Sequence, residues 1–109
     1  MSADTAERAE LDLDSDSPEF SDDALALGFA ALHADSLRYV AGWGAWMRYE
    51  GGRWRQEGTL YAFNQARRVC RWRAASVTDS RLATSLTSAK TIAAVERLAQ
   101  SDRRLAATV

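Results

Sequence analysis

The sequence predicts a small α+β domain over residues 21–109, with an N-terminal helix, a three-stranded antiparallel element and two to three C-terminal helices. The length of 109 residues fits one small domain. Apolar residues recur at helical spacing on both sides of an aromatic, glycine-rich stretch at residues 38–56. That stretch contains a Gly-Gly pair between two strand-like segments, which is typical of a β-hairpin. These observations favour helices and strands in separate parts of one domain.

The first helix is predicted over residues 22–34. Ser21 is a suitable N-cap, and Asp22 and Asp23 place carboxylates at the positive end of the helix dipole. Gly28 weakens this helix by up to ~1 kcal/mol relative to alanine. The apolar stripe of the helix consists of Leu25, Phe29 and Leu32.

The aromatic stretch predicts three short strands, at residues 38–41, 45–50 and 53–56. Gly51 and Gly52 join the last two strands, because glycine supplies the positive φ angles that a two-residue hairpin turn needs. Successive side chains of a strand point to opposite faces of the sheet. The two faces of the middle strand consist of Trp46 with Arg48 and of Met47 with Tyr49.

A second helix is predicted from an N-cap at Thr59 to about Ala75. Helical spacing assigns its inward side to Ala62, Phe63, Ala66, Val69 and Cys70. Its outward side is a polar, largely basic stripe of Asn64, Arg67, Arg68 and Arg71.

The C-terminal part of the chain predicts one short helical turn and one longer helix. Residues 76–80 form a predicted linker, and residues 81–86 the short turn. The last helix is predicted from an N-cap at Thr87 or Ser88 to about Gln100. Its apolar side consists of Ile92, Val95, Leu98 and Ala99. The sequence pattern assigns no place to the apolar segment that follows, Leu105 to Val109.

Charge is distributed unevenly along the chain. Residues 1–35 carry ten acidic residues and one basic residue, a net charge of −9, whereas residues 36–109 carry thirteen basic and five acidic residues, a net charge of +8. Residues 1–20 contain too few apolar side chains to offset the entropy of ordering, so the sequence predicts a disordered acidic tail there. This tail either keeps the protein in solution or competes with an anionic partner for the basic body.

The residue content excludes several kinds of site. One cysteine and one histidine allow neither an internal disulfide nor a four-ligand zinc site. The segment from Thr84 to Thr91 has the spacing of a phosphate-binding P-loop, but Thr84 and Ala89 replace both of its glycines. No apolar run approaches the ~20 residues of a membrane span, and the acidic N-terminus is unlike a secretory signal peptide. We therefore expect no catalytic residue, no metal or cofactor, no membrane association and a cytoplasmic location.

Tryptophan and arginine dominate the candidate functional residues. Of four tryptophans, three lie within twelve positions of the aromatic stretch. One interpretation is that they cover one face of a small sheet. The other is a stacking platform that binds single-stranded nucleic acid, with flanking arginines that contact the phosphates. The arginine stripe of the second helix either extends this surface or is simply a solvated helix face. The candidate nucleic-acid-binding residues are Arg38, Trp43, Trp46, Arg48, Arg53, Trp54, Arg55, Arg67, Arg68 and Arg71.

Two sequence motifs, in this order along the chain, resemble those of a known family. The first reads RY-x-x-x-WG-x-W-x-x-Y-x-G-x-x-W from Arg38 to Trp54. The second begins with Ser88, Ala89 and Lys90 and ends with Leu98, Ala99, Ser101 and Asp102. Over about residues 21–109 the chain resembles the N-terminal region of phage- and plasmid-associated DNA primase–helicases, the part that precedes their superfamily 3 helicase ATPase.

The resemblance implies a role in DNA replication rather than catalysis by this chain, which contains no Walker motif and no primase motif. We expect a non-catalytic module that binds a replication partner, or single-stranded DNA weakly. Two alternatives stay open. One is a protein-interaction module whose last helix and segment 105–109 pack on a helicase ATPase domain or on a second copy. The other is a truncated prophage remnant without function.

Overall fold

The computed structural model describes residues 17–109. This part of the chain contains four α-helices, four β-strands and one 3₁₀ turn. In chain order these are α1 (Asp22–His33), β1 (Leu37–Val40), the 3₁₀ turn (Ala41–Trp43), β2 (Ala45–Glu50), β3 (Arg53–Gln56), α2 (Tyr61–Ala74), α3 (Ser80–Leu86), α4 (Ala89–Ala99) and β4 (Ala106–Ala107). The α+β class and the order of its predicted elements are confirmed.

The sheet is four-stranded and mixed, with the strand order β3-β2-β1-β4. The prediction of a purely three-stranded antiparallel element is therefore wrong. The extra strand, β4, runs parallel to β1, pairing Ala106 with Tyr39 and Ala107 with Val40. The backbone N–H of Tyr39 also donates to the carbonyl of Leu105 at 2.7 Å. A strand of two residues is too short to have a recognisable alternation, which is why the sequence pattern did not indicate it.

The predicted hairpin is confirmed. Gly51 and Gly52 form the turn with φ angles of 63° and 81°, the left-handed conformation that a two-residue turn needs at both positions. The turn sets the register, so that Glu50 pairs with Arg53 and Tyr49 with Trp54. The strands of the hairpin are antiparallel, as are β1 and β2.

The helices pack on one face of the sheet. Leu37 and Trp46 point from the sheet into the same apolar core that buries α1, α2 and α4. Within this core the rings of Phe29 and Trp46 meet edge to face, with centroids 6.1 Å apart. The largest fully buried side chains are Phe29, Leu37, Cys70, Val95 and Leu105. No helix packs in the core from the other face, which carries Arg38; Val40 on that face is buried, whereas Tyr49 and Trp54 near its β3 edge are exposed, so we call it the open face.

The helix N-termini are capped by side chains, with one departure from prediction. The Ser21 and Ser88 hydroxyls accept backbone N–H bonds at the starts of α1 and α4, as predicted. Thr59, the predicted cap of α2, lies one residue before the true N-cap, Leu60. The carboxylate of Glu57 instead accepts hydrogen bonds from the Thr59 hydroxyl and the backbone N–H groups of residues 59 and 61. A carboxylate four residues before the helix thus replaces the predicted hydroxyl cap.

Most of the predicted acidic tail, residues 1–16, lies outside the described residues. Residues 17–20 contact the domain: the Glu19 carboxylate pairs with Arg73 at 3.1 Å, and Phe20 packs against the core.

Within residues 17–109, no helix is long and apolar enough to cross a membrane.

Candidate functional site

Two candidate side chains, Arg38 and Trp54, meet Tyr49 on the open face of the sheet, which we define by Arg38, Met47, Tyr49 and Trp54. Tyr49 and Trp54 are cross-strand partners whose rings meet edge to face with centroids 5.4 Å apart. The Arg38 guanidinium carbon lies 5.1 Å from the Trp54 ring centroid. The two aromatic residues are 46% and 40% exposed. The open face therefore presents an accessible aromatic pair next to a cation.

The backbone fixes the position of Arg38. Its Nη1 atom donates to the carbonyl oxygen of Leu37 at 2.7 Å and to that of Ala34. A guanidinium has five N–H donors, and these two bonds use a single nitrogen. The remaining donors of Arg38 are available to an anionic ligand while the group is held beside Trp54.

The other hairpin arginines lie on the opposite face. Arg48 and Arg55 are direct cross-strand partners and share the face that carries Trp46. The Arg48 guanidinium carbon lies 3.8 Å from the Tyr61 ring centroid, at the start of α2. Arg53 lies two residues before Arg55 on the same strand, so it belongs to this face too. The three hairpin arginines thus share one face of the sheet, and Arg38 of β1 lies on the other.

Hydrogen bonds and a nearby positive charge favour the ionised form of Glu57, which directly follows β3. Hydrogen bonding to the Thr59 hydroxyl lowers the pKa of the Glu57 carboxyl, and the charge of Arg48 adds to this effect. Glu57 therefore stays charged while it caps α2 and faces the arginine.

The four tryptophans occupy four different environments. Trp46 is only 8% exposed and donates its indole N–H to Glu96 Oε1 at 2.8 Å, so it is a core residue with no ring face free for stacking. Trp43 is exposed in the 3₁₀ turn, and Trp72 is exposed on α2. Trp54 alone lies beside a candidate arginine on the open face.

The predicted arginine stripe of α2 is exposed as expected. Arg67, Arg68 and Arg71 all face solvent. Among residues 17–109, the ion pairs within 4.0 Å are Arg73 with Glu19 and Arg104 with Asp102, so no candidate arginine has a carboxylate within ion-pair distance there; the Glu57 carboxylate acts on Arg48 from farther away. In the same described part of the chain, no hydrogen bond, ion pair or cation–π contact joins this stripe to the hairpin arginines. The stripe and the hairpin arginines lie on separate elements, α2 and the β2–β3 hairpin.

The described residues contain no cluster of metal-binding side chains, and the one cysteine and the one histidine lie outside the candidate surface. No group of three or more His, Cys, Asp or Glu side chains that could hold a metal ion occurs between residues 17 and 109. Cys70 is fully buried, and burial raises the pKa of its thiol to about 11. Burial also lowers the pKa of His33, whose ring packs on Phe29. These two side chains belong to the core and its margin.

Sequence reasoning missed Tyr49 as a member of the candidate site. Its pairing with Trp54 follows from a two-residue turn at Gly51 and Gly52, which places residues 49 and 54 opposite each other. The signal was therefore present in the hairpin register. The residues lining the groove between α1 and α2 left no comparable signal, because they come from distant positions in the chain.

Comparison with known proteins identifies one family. Residues 8–109 match the family model described as D5 N terminal like, the N-terminal domain of D5 phage/plasmid primase–helicase-like proteins. This match confirms the resemblance stated from the two sequence motifs. No curated protein and no solved structure matches the chain.

Proposed function

This chain belongs to the D5 N-terminal-like family, and on that premise we propose that it is a non-catalytic DNA-replication module of a primase–helicase. The module binds single-stranded DNA weakly. The observation that carries this proposal is the exposed Tyr49–Trp54 pair with the Arg38 guanidinium beside it.

Aromatic rings on an open sheet face suit single-stranded DNA because every base offers a flat π surface. Stacking on an aromatic side chain contributes ~1–3 kcal/mol per base and tolerates any sequence. The exposed rings of Tyr49 and Trp54 supply such a platform. Arg38 lies close enough to reach a phosphate of the stacked nucleotide with its free N–H groups.

The remaining arginines support the same function through charge. None of the candidate arginines has a carboxylate within ion-pair distance among residues 17–109, so each can neutralise a phosphate. The proposed surface extends from the open face to the other side of the hairpin and to the α2 stripe, and it leaves out the buried Trp46. Its members are Arg38, Trp43, Arg48, Tyr49, Arg53, Trp54, Arg55, Arg67, Arg68 and Arg71.

The direct test is binding of a fluorescently labelled oligothymidylate, measured by anisotropy at low salt. Replacing Trp54 with alanine removes one stacking ring and is expected to weaken binding roughly 5- to 150-fold, which corresponds to ~1–3 kcal/mol. Leu60→Ala is the control, because Leu60 is a 77% exposed apolar residue that lies outside both the proposed surface and the groove between α1 and α2. Equal affinities of the wild type and the Trp54→Ala variant would refute stacking on the open face.

A protein-interaction module is the second candidate. Leu98 on α4 remains partly exposed and offers an apolar contact for a helicase ATPase domain or a second copy. Leu105, by contrast, is fully buried in the core of its own chain and is not free to contact a partner. Light scattering across a range of protein concentrations distinguishes the candidates: a rising mass supports self-association, which Leu98→Ser should abolish.

A further inference from the structure

A groove of about 740 Å³ runs between α1 and α2. Leu32 on α1 and Trp72 on α2 form its apolar walls, and each of these residues is 68% exposed. Phe20 lies at the end where α1 begins, with the Arg73 guanidinium 4.8 Å from its ring centroid. Gly28 lines the groove, and an added Cβ at this position would meet no atom within 4 Å. The groove is therefore apolar and has room for further side chains.

Polar groups along the α2 side define what this groove can bind. Arg68 and Arg73 border it, and Arg73 already pairs with the Glu19 carboxylate. Gln65 also lines the groove; its amide oxygen accepts a hydrogen bond from Arg68 at 3.5 Å, and no fully buried side-chain nitrogen or oxygen within residues 17–109 lacks a partner. An occupant that combines apolar side chains with carboxylates and carbonyl oxygens would satisfy both the walls and this border.

Residues 10–16 of the same chain have this composition. Two leucines, Leu11 and Leu13, are interleaved with the acidic residues Glu10, Asp12, Asp14 and Asp16. In an extended conformation, residues two apart point the same way, so both leucines can face the apolar walls of the groove while the carboxylates between them face its arginine border on α2. We propose that this segment, residues 10–16, docks in the groove with its leucines against the walls and its carboxylates toward Arg68 and Arg73.

The connection to the groove is short enough for this docking. Phe20 already lines the groove, seven residues after Leu13. Seven extended residues span at most about 25 Å, and the 12 residues of α1 are about 18 Å long. Leu11 and Leu13 can therefore reach any point along the groove. A short tether also provides a millimolar effective concentration, so a few weak contacts suffice.

The first test blocks the groove and observes the segment. In ¹H–¹⁵N spectra of the full chain, Gly28→Leu is expected to shift the amide resonances of Leu11 and Leu13, because the new side chain occupies their site. Gly28→Ala is the matched control, since a methyl group leaves most of the groove open. The indole resonance of Trp46 reports that the core is intact in both variants.

The second test changes the segment and observes the groove. Replacing Asp12, Asp14 and Asp16 with asparagine is expected to shift the Trp72 indole resonance, whereas Glu50→Gln at the hairpin turn leaves it in place. Unchanged Trp72 and leucine resonances in the respective variants would overturn the proposal. Shifts that depend on protein concentration would also overturn it, because they would assign the groove to a second copy. Neither readout requires DNA, so this docking can fail or hold independently of the proposed function.

Discussion

Trp46 and Trp54 have the same side chain and opposite roles. Trp46 packs against Phe29 and Tyr39, and its indole N–H is satisfied by Glu96. Trp54 lies on an edge strand whose residues are all exposed. Trp46 lies between Ala45 and Met47 on an inner strand, whereas Trp54 lies between Arg53 and Arg55 on an edge strand, so the position in the sheet separates a core tryptophan from a surface one.

This separation predicts different effects on stability. Trp46→Ala leaves a large cavity and removes the partner of Glu96, so it is expected to reduce the free energy of unfolding by about 3–5 kcal/mol. Trp54→Ala is expected to change it by less than about 1 kcal/mol, because that side chain is half exposed. Urea unfolding followed by circular dichroism measures both values. Similar losses in the two variants would contradict the assignment of Trp46 to the core.

The pKa of His33 determines how the free energy of unfolding is expected to change with pH near neutrality. Burial, and secondarily the charge of Arg68, lowers the pKa of His33 in the folded state. The unfolded state therefore binds more protons as the pH falls below about 6.5, and stability decreases until the folded-state pKa is reached. The urea concentration at the unfolding midpoint of the wild type should therefore be lower at about pH 5.5 than at about pH 7. His33→Gln should reduce this difference. An unchanged difference in the variant would show that other groups cause it.

At the scale of elements, the start of α2 combines strain with capping. Leu60 is the N-cap and has a φ of 62°, a left-handed conformation that costs a residue with a side chain about 1–3 kcal/mol. Its side chain is 77% exposed and contributes little burial in return. The carboxylate of Glu57 holds this backbone in place through residues 59 and 61.

Leu60→Gly is therefore expected to stabilise the protein by about 0.5–1 kcal/mol, since glycine adopts positive φ without strain but loses more entropy on folding. Leu60→Ala is the control, because alanine removes the same exposed side chain and keeps the strain. Thermal unfolding should rank glycine above both leucine and alanine. A glycine variant no more stable than the alanine variant would contradict the strain assigned to this position.

The sequence predicted those elements whose signals are local. Ser21, Ser88 and the Gly51–Gly52 turn each act through neighbours within a few residues, and the structure confirms all three. The cap of α2 was mispredicted because a carboxylate at Glu57 competes with the hydroxyl at Thr59 for the same backbone groups. Local patterns therefore located this helix correctly but not the group that caps it.

Features that depend on distant contacts could not be predicted. Strand β4 exists because Leu105 enters the core and places Ala106 beside Tyr39, far away in the chain. The candidate site was predictable in part: alternation placed Tyr49 and Arg48 on opposite faces, but nothing local indicated that Trp46 reaches Glu96. The sequence alone therefore identified the basic and aromatic composition of the site and the two faces of its middle strand, but not which tryptophan is buried.

At the scale of the whole molecule, charge separation is the dominant feature. Residues 36–109 have a net charge of +8, and the candidate arginines have no ion pairs within the described part of the chain. The acidic residues are concentrated in residues 1–35. If the segment 10–16 docks beside Arg68, it shares that residue with the proposed DNA surface. Its charge-neutralised variant should then bind DNA more tightly than the wild type.

The salt dependence of oligothymidylate binding measures whether the unpaired arginines of this module bind the phosphates of single-stranded DNA. Each phosphate contact contributes about 0.7 to the slope of log affinity against log salt concentration. Replacing Arg53 and Arg55 with glutamine should reduce the slope by about 1.4. The matched control replaces Arg81 and Arg97, which are exposed but outside the proposed surface. If these arginines bind phosphates, the slope is smaller for the Arg53 and Arg55 variant and unchanged for the Arg81 and Arg97 variant. Equal slopes in all three proteins, or no binding at low salt, would show that they do not.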